Sequence, residues 1–286
     1  MLSRSIDLHT HTTHSDGSDT PEELVGKAAR AGAVALAITD HDTGSGLAEG
    51  KRAAREFGIE FIDGIEISAE YSPGTMHLLG YCIDSAAIES DLVELKHARD
   101  QRNPQIAARL QELGMDIPYE EVQALAGGEM VGRPHFARLM IQKGYVGSIQ
   151  DAFNGFLAKG APAYVEKLRL SPENAIDLIH RAGGVAVLAH PYQLKLPSLD
   201  AVDDLAAELA GLGLDGIEAV YSRHSQEERS AYSEIARRHE LLITGGSDYH
   251  GTYKPDLSLV AGKGDLDVPY HLLEEIKARA SSLRAR

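Results

Sequence analysis

Along this chain, apolar runs short enough to be strands end repeatedly in histidine or carboxylate side chains, and helical patterns separate them. The first run leads into Asp7-Leu8-His9-Thr10-His11, followed by Ser15-Asp16-Gly17. Ala33 to Ile38 ends in Thr39-Asp40-His41, Ile59 to Tyr71 carries Glu66, and Thr75 to Cys82 carries His77. Val185 to Ala189 ends in His190-Pro191, and Leu241 to Thr244 enters Gly245-Gly246-Ser247-Asp248-Tyr249-His250. With a further run from Leu214 to Tyr221, about seven strands are expected. Strands alternating with helices imply a parallel sheet, and polar residues gathered at strand C-termini are what a closed α/β barrel brings to one face. The expected fold is therefore α/β, a distorted (β/α)7 barrel with a helical insertion. The alternative is an open doubly wound sheet whose ligands converge at a switch point.

The helices are signalled by their ends. Thr20-Pro21-Glu22-Glu23 reads as an N-cap, a proline at the first helical position and the glutamate of a capping box; Ser171-Pro172-Glu173 starts another helix. Gly46 to Phe57, Leu199 to Leu209, Gln226 to His239 and Leu272 to Leu283 complete the helical segments of the main body. From residue 84 to 162 apolar residues recur at helical spacing with no convincing strand between them. The barrel is accordingly expected over 1–83 and 163–286, with 84–162 as a helical insertion that covers the site.

Bulk properties remove several classes of function. The chain has 286 residues, 43% of them hydrophobic, with no run approaching the roughly 20 apolar residues of a membrane span, and residues 1–20 lack a signal peptide's apolar core. A cytoplasmic protein without membrane partners is expected. The single cysteine, Cys82, excludes an internal disulfide and a cysteine-rich zinc site. A net charge of -15 argues against a long nucleic-acid duplex, which requires extensive neutralisation by Lys and Arg. Small anions remain open, because metal ions and a few local cations can hold them.

Nine residues fit one convergent cluster: His9, His11, Asp16, His41, Glu66, His77, His190, Asp248 and His250. In an extended strand Asp7, His9 and His11 share a face, so two imidazoles can grip one ion. Imidazole suits first-row divalent metals, and carboxylates suit manganese or magnesium. Taken singly, His77 and His190 also fit satisfied core histidines, Asp16 and Asp248 fit turn residues, and His9-Thr10-His11 fits a His-rich terminus. Their recurrence at successive strand ends favours the cluster. His97, His180, His239 and His271 lie in or beside predicted helices and read as surface residues.

In order, these motifs resemble those of the PHP (polymerase and histidinol phosphatase) metal-dependent phosphoesterases, over the span Asp7 to His250. Gly132-Arg133-Pro134-His135 and Tyr221-Ser222-Arg223-His224-Ser225 further resemble the branch containing bacterial 3′,5′-nucleotide bisphosphate phosphatases and a small-RNA 5′-exonuclease. The resemblance implies a seven-stranded barrel and two or three divalent ions, usually Mn2+. It further implies His9, His11, Glu66 and Asp248 around one ion, Glu66 bridging to a second with His77 and His190, and Asp16, His41 and His250 around a third. Asp7 would support the histidine pair as an outer acceptor. Ions so placed activate water, and no Ser or Cys nucleophile is required.

Arg133, Arg169 and His224 are the phosphate-binding candidates, together with His135; Arg offers a bidentate fork to phosphate. His224 and His135 are the candidate proton donors to the leaving group. The expected activity is removal of the 3′-phosphate from a nucleoside 3′,5′-bisphosphate such as 3′-phosphoadenosine 5′-phosphate. The alternatives are a 5′→3′ exonuclease on short RNA oligonucleotides, a histidinol-phosphate phosphatase and a non-catalytic metal-binding module.

Overall fold

The computed structural model describes residues 5–126 and 131–285. Seven strands form one sheet in chain order: β1 (Ile6–Asp7), β2 (Ala35–Ile38), β3 (Glu60–Ala69), β4 (Met76–Tyr81), β5 (Val185–Leu188), β6 (Gly216–Tyr221) and β7 (Leu242–Gly246). The first and last edges then meet. The Leu8 amide donates to Gly245 O at 3.3 Å, the Asp248 amide to His9 O at 2.8 Å and the His11 amide to Tyr249 O at 2.9 Å. The result is the distorted seven-stranded barrel expected from the strand–helix rhythm.

Pairing direction corrects one expectation. β1–β2, β2–β3, β5–β6 and β6–β7 are parallel, but β4 is antiparallel to both its neighbours. A parallel crossover needs about a dozen or more residues, and the link 70–75 is too short for one, so the chain must fold straight back. A second correction concerns the opening strand. Its ladder stops at Asp7, and beyond it only Thr10 bridges to Tyr249. His9 and His11 therefore sit on extended backbone past the ladder.

Strand alternation divides the apolar residues between two faces. Leu36, Ile38, Leu78, Ala186 and Leu188 face outward into a core shared with α1 (Pro21–Arg30), α2 (Leu47–Phe57), α7 (Pro172–Arg181), α8 (Leu199–Gly211) and α9 (Gln226–Arg238). Ala35, Ala37, Leu79, Val185 and Val187 face the barrel interior, where Leu273 and Ile276 of α10 (His271–Arg284) join them. The small residues Ala35 and Ala37 suit the confined interior of the barrel.

The helix starts follow their sequence signals. Thr20 and Glu23 form the capping box, with Pro21 as the first helical residue, and Ser171 accepts from the Asn174 amide at 3.2 Å. Between β4 and β5 lie α3 (Ser85–Glu112), α4 (Tyr119–Leu125), α5 (Arg133–Gln142), α6 (Ile149–Ala152) and a π-turn, Phe153–Leu157. Along α3, Ile88, Leu92 and Leu95 pack on the barrel core. Ile106, Ala107 and Leu110 instead join Phe136, Met140 and Leu157 in a third cluster. Pro104 lies between the two sets and removes one backbone donor from the helix. No helix among the described residues is long and apolar enough to cross a membrane.

Candidate metal centre

The barrel delivers all nine cluster candidates to one mouth. His9, His11 and Asp16 come from the backbone beyond β1, His41 from beyond β2, His190 from beyond β5, and Asp248 and His250 from beyond β7. Glu66 lies within β3, beside His41 in a parallel bridge. His77 is the second residue of β4 and reaches the same mouth because that strand runs in reverse. Close backbone approach makes this assembly possible. A side chain at Gly246 would place its Cβ 2.3 Å from His9 Cβ, and one at Gly17 would place it 2.3 Å from His11 O. His190 and Asp248 adopt positive φ angles, 26° and 54°, which cost a non-glycine residue energy and recur at functional sites.

Glu66 is the centre of the arrangement. Its Oε1 lies 2.8 Å from His77 Nδ1 and 3.0 Å from His190 Nε2, and its Oε2 lies 3.0 Å from His41 Nδ1, 3.2 Å from His11 Nε2 and 3.4 Å from His9 Nε2. Asp248 Oδ1 is 3.4 Å from His11 Nε2 and 3.6 Å from His9 Nε2. Asp16 Oδ1 is 3.3 Å from His250 Nε2 and 3.6 Å from His11 Nδ1, while its Oδ2 is 3.8 Å from His41 Nε2. Among the described residues, donor atoms within 4.8 Å of one another form four groups: His11, Asp16, His41 and His250; His9, His11 and Asp248; His9, Glu66 and His190; His41, Glu66 and His77. His77 and His190 thus share Glu66 from two separate groups.

These side chains fit a bound cation. The shielded atoms His9 Nε2, His11 Nε2, Glu66 Oε2, His77 Nδ1 and His190 Nδ1 make no hydrogen bond, and leaving such atoms unsatisfied is costly. Burial alone would raise the Glu66 carboxyl, yet the charges of His41, His77 and His9 hold it well below the carboxylate range. The same opposition, with Lys254, His250 and His11 as the counter-charges, holds Asp248 well down. Nitrogen and carboxylate donors of this kind suit first-row divalent ions.

Several side chains around the cluster set its geometry. Glu218, fully buried in β6, accepts from His9 Nδ1 at 2.9 Å and from the His190 amide at 2.8 Å. That bond puts the His9 hydrogen on Nδ1 and leaves Nε2 facing the cluster. Asp248 Oδ2 accepts from Tyr221 and Lys254, both at 2.7 Å. Neither Glu218 nor Lys254 was singled out from the sequence. Glu218 carried the same signal as Glu66, a carboxylate inside an apolar strand, whereas nothing local distinguishes Lys254. Asp7 differs from its expected part: it accepts from the amides of His9, Ser247 and Val260 at 3.3, 2.9 and 2.8 Å, and so ties backbone segments together rather than an imidazole.

The remaining candidates separate into two pairs. Arg133 and Arg169 line a cavity of about 250 Å³ that also includes Asp16, His41 and His77. Arg133 donates to Leu157 O at 3.0 Å, with the rings of Phe153 and Tyr164 at 5.4 and 5.6 Å from its guanidinium; Arg169 donates to Glu166 at 2.6 Å. His135 is buried outside that cavity, its Nδ1 accepting from the Gly132 amide at 3.0 Å. His224 is also buried and is moved away from the proton-donor role. Its Nδ1 must carry the hydrogen it donates to Ala219 O at 3.0 Å, so Nε2 has no proton to give. Burial pushes its pKa down to about 4.

Fold and site together define a metal-dependent phosphoesterase barrel. Residues 7–166 match the PHP domain family, and the chain belongs to that family. It is 35% identical over 249 residues to a 3′,5′-nucleoside bisphosphate phosphatase from Chromobacterium violaceum, covering 86% of this chain and 87% of the relative. It is 38% identical over 248 residues to the 5′-3′ exoribonuclease Rnm of Escherichia coli, covering 85% and 84%. A crystal structure from Bifidobacterium adolescentis, assigned as a metal-dependent phosphoesterase, superposes with a TM-score of 0.86 at 32% identity over 98% of both chains.

Glu218 provides a test of how the cluster is held. Glu218→Ala is expected to weaken Mn2+ binding by about 10- to 100-fold, the usual cost of losing a carboxylate behind a ligating histidine. Glu218→Gln, which retains an acceptor oxygen, should lose less. Calorimetric Mn2+ titration of variants with unchanged circular dichroism measures both, and equal affinity in all three proteins would remove Glu218 from this role.

Proposed function

We propose that this chain hydrolyses the 3′-phosphate of a nucleoside 3′,5′-bisphosphate, releasing the nucleoside 5′-monophosphate and inorganic phosphate. The observation that carries the reading is the cation-rich cavity beside the cluster, lined by Arg102, Arg133, Lys167 and Arg169 as well as Asp16, His41 and His77. A cluster that engages one phosphoryl group needs a second cationic site only if the substrate carries a second anion. The Chromobacterium violaceum relative, a bisphosphate phosphatase by name, supports the same choice.

His9, His11, Asp16, His41, Glu66, His77, His190, Asp248 and His250 would hold two or three divalent ions, with Mn2+ as the proposed metal. Bound there, such ions acidify water and neutralise charge on the transferred phosphoryl group. The chain itself supplies orientation. Glu218 fixes the His9 tautomer, Tyr221 and Lys254 fix Asp248, and Phe153 and Tyr164 flank the Arg133 guanidinium. We assign the helical segment 84–162 as a cover over the site. Pro134, Ile149 and Phe153 line a larger cavity of about 950 Å³ together with Glu66, His77, His190 and Asp248.

That larger cavity favours a second reading, 5′→3′ exonuclease action on short RNA, because it offers room beyond the cluster for a following nucleotide. The exoribonuclease from Escherichia coli is similar at comparable identity. Product analysis separates the two: inorganic phosphate from a bisphosphate in one case, nucleoside 5′-monophosphate from a 5′-phosphorylated oligonucleotide in the other.

Arg133 tests the second-phosphate site. A hydrogen bond to a charged group contributes roughly 1.5–3 kcal/mol, equivalent to about a 10- to 150-fold preference. Arg133→Ala should lower kcat/KM for 3′-phosphoadenosine 5′-phosphate by that factor and leave adenosine 3′-monophosphate nearly unchanged. Equal losses on both substrates would place Arg133 at the reacting phosphate or in the fold instead.

A further inference from the structure

Resting on the nucleotide reading above, we propose that Tyr192 is a nucleobase-stacking platform at the mouth of the metal centre. It follows the cluster residue His190 by two positions, on the short 3-10 helix Pro191–Leu194. Of the aromatic side chains lining the larger cavity among the described residues, it is the one left widely open, with 41% of its surface exposed. An exposed tyrosine at the mouth of a cavity offers a large, rigid face on which a ligand ring can stack.

The ring is supported from behind. Tyr221 lies 6.1 Å away at an interplanar angle of 27°, a stacked arrangement, and His224 meets the ring edge-on at 6.0 Å. The backbone that carries it is pinned as well. The Thr75 amide donates to Gln193 O at 3.0 Å, and the β3–β4 turn approaches so closely that a Cβ at Gly74 would lie 2.3 Å from both Gln193 O and Leu194 O. Pro191 and Leu194 are buried on either side. Tyr192 is therefore a fixed surface, which keeps the ordering cost of stacking low.

The other large cavity aromatics already have partners. Phe153 lies under the Arg133 guanidinium at 5.4 Å, Tyr253 has the Arg138 guanidinium at 5.4 Å over its ring, and Tyr221 donates to Asp248. The cation-rich cavity and the larger one share Asp16, His41, His77 and Gln193. A ligand with one phosphate on the cluster and another among Arg133 and Arg169 can thus extend its base toward Tyr192. Stacking uses the π-face common to all bases, so the platform selects nucleotides over sugar phosphates without choosing among bases.

The experiment compares adenosine 3′,5′-bisphosphate with base-free ribose 3,5-bisphosphate. Loss of one base–aromatic stack corresponds to about a 5- to 150-fold change. Tyr192→Ala should raise KM for the adenosine substrate by that factor with kcat little changed, and should leave the base-free substrate alone. Tyr192→Phe, which keeps the ring, should behave as the parent protein. Calorimetric affinity for adenosine 5′-monophosphate should fall in parallel in the alanine variant. Equal effects on both substrates, or no effect on either, overturn the platform while phosphate release by the parent protein leaves the bisphosphatase reading standing. A parent protein that releases phosphate from neither substrate overturns both.

Discussion

Glu66→Gln is expected to reduce phosphate release by more than about 100-fold and to lower the metal content of the purified protein in the same step. The reference point is the loss of about 10- to 100-fold seen when a group merely behind a ligand is removed; Glu66 stands nearer to the centre than that. Its two oxygens lie 2.8–3.4 Å from nitrogens of five histidines, so one neutral amide disturbs every group of donors it joins. The substitution is nearly isosteric and leaves the surrounding packing intact. It removes the negative charge that the buried histidines and any bound cation share, and places an NH2 donor among ring nitrogens. Elemental analysis beside a phosphate-release assay gives both readings. Full turnover with unchanged metal content would exclude Glu66 as a shared ligand.

Chelation is expected to abolish turnover, and Mn2+ to restore it more effectively as pH rises toward about 9. The direction follows from which imidazoles hold protons in the metal-free cluster. Burial alone would lower His11, but the nearby carboxylates of Asp248 and Glu66 carry it up to about 9. His9 is likewise pulled down by burial yet raised well above the ordinary imidazole value by Glu218 and Glu66. Both therefore hold protons at neutral pH that an incoming ion must displace, since a ligating imidazole has to present a lone pair. His41, His77 and His250 are lowered instead, chiefly by burial. Protons on them compete with the ion less than those on His9 and His11. Mn2+ titrations in buffers of different ionisation enthalpy should register proton release at pH 7, falling as pH passes about 9. Activity retained after exhaustive chelation would remove the metal centre from the chemistry.

The order of the cluster side chains was written in the chain because its determinants are local. An apolar run that stops at His41, His190 or Asp248 states both where a strand ends and what stands at its tip, and α/β connectivity carries such tips to one mouth. The helix starts at Thr20 and Ser171 were equally plain, for an N-cap is decided within four residues. The barrel and its cluster of nine could be read at that level without any long-range contact.

What only the tertiary structure decided depends on how the folded backbone turns each side chain toward its partner. The reversed β4, which turns an early strand position at His77 into a site position, depends on a link too short to cross over. Glu218 became a partner of His9 across 209 residues, and Lys254 a partner of Asp248 by way of a loop. His224 looked like an acid beside the site until its Nδ1 was found bonded to Ala219 O, which fixes the tautomer that cannot donate. Residue type and spacing define the chemistry available to a side chain. Which proton it holds and which way it points are set by the partner that the fold packs against it.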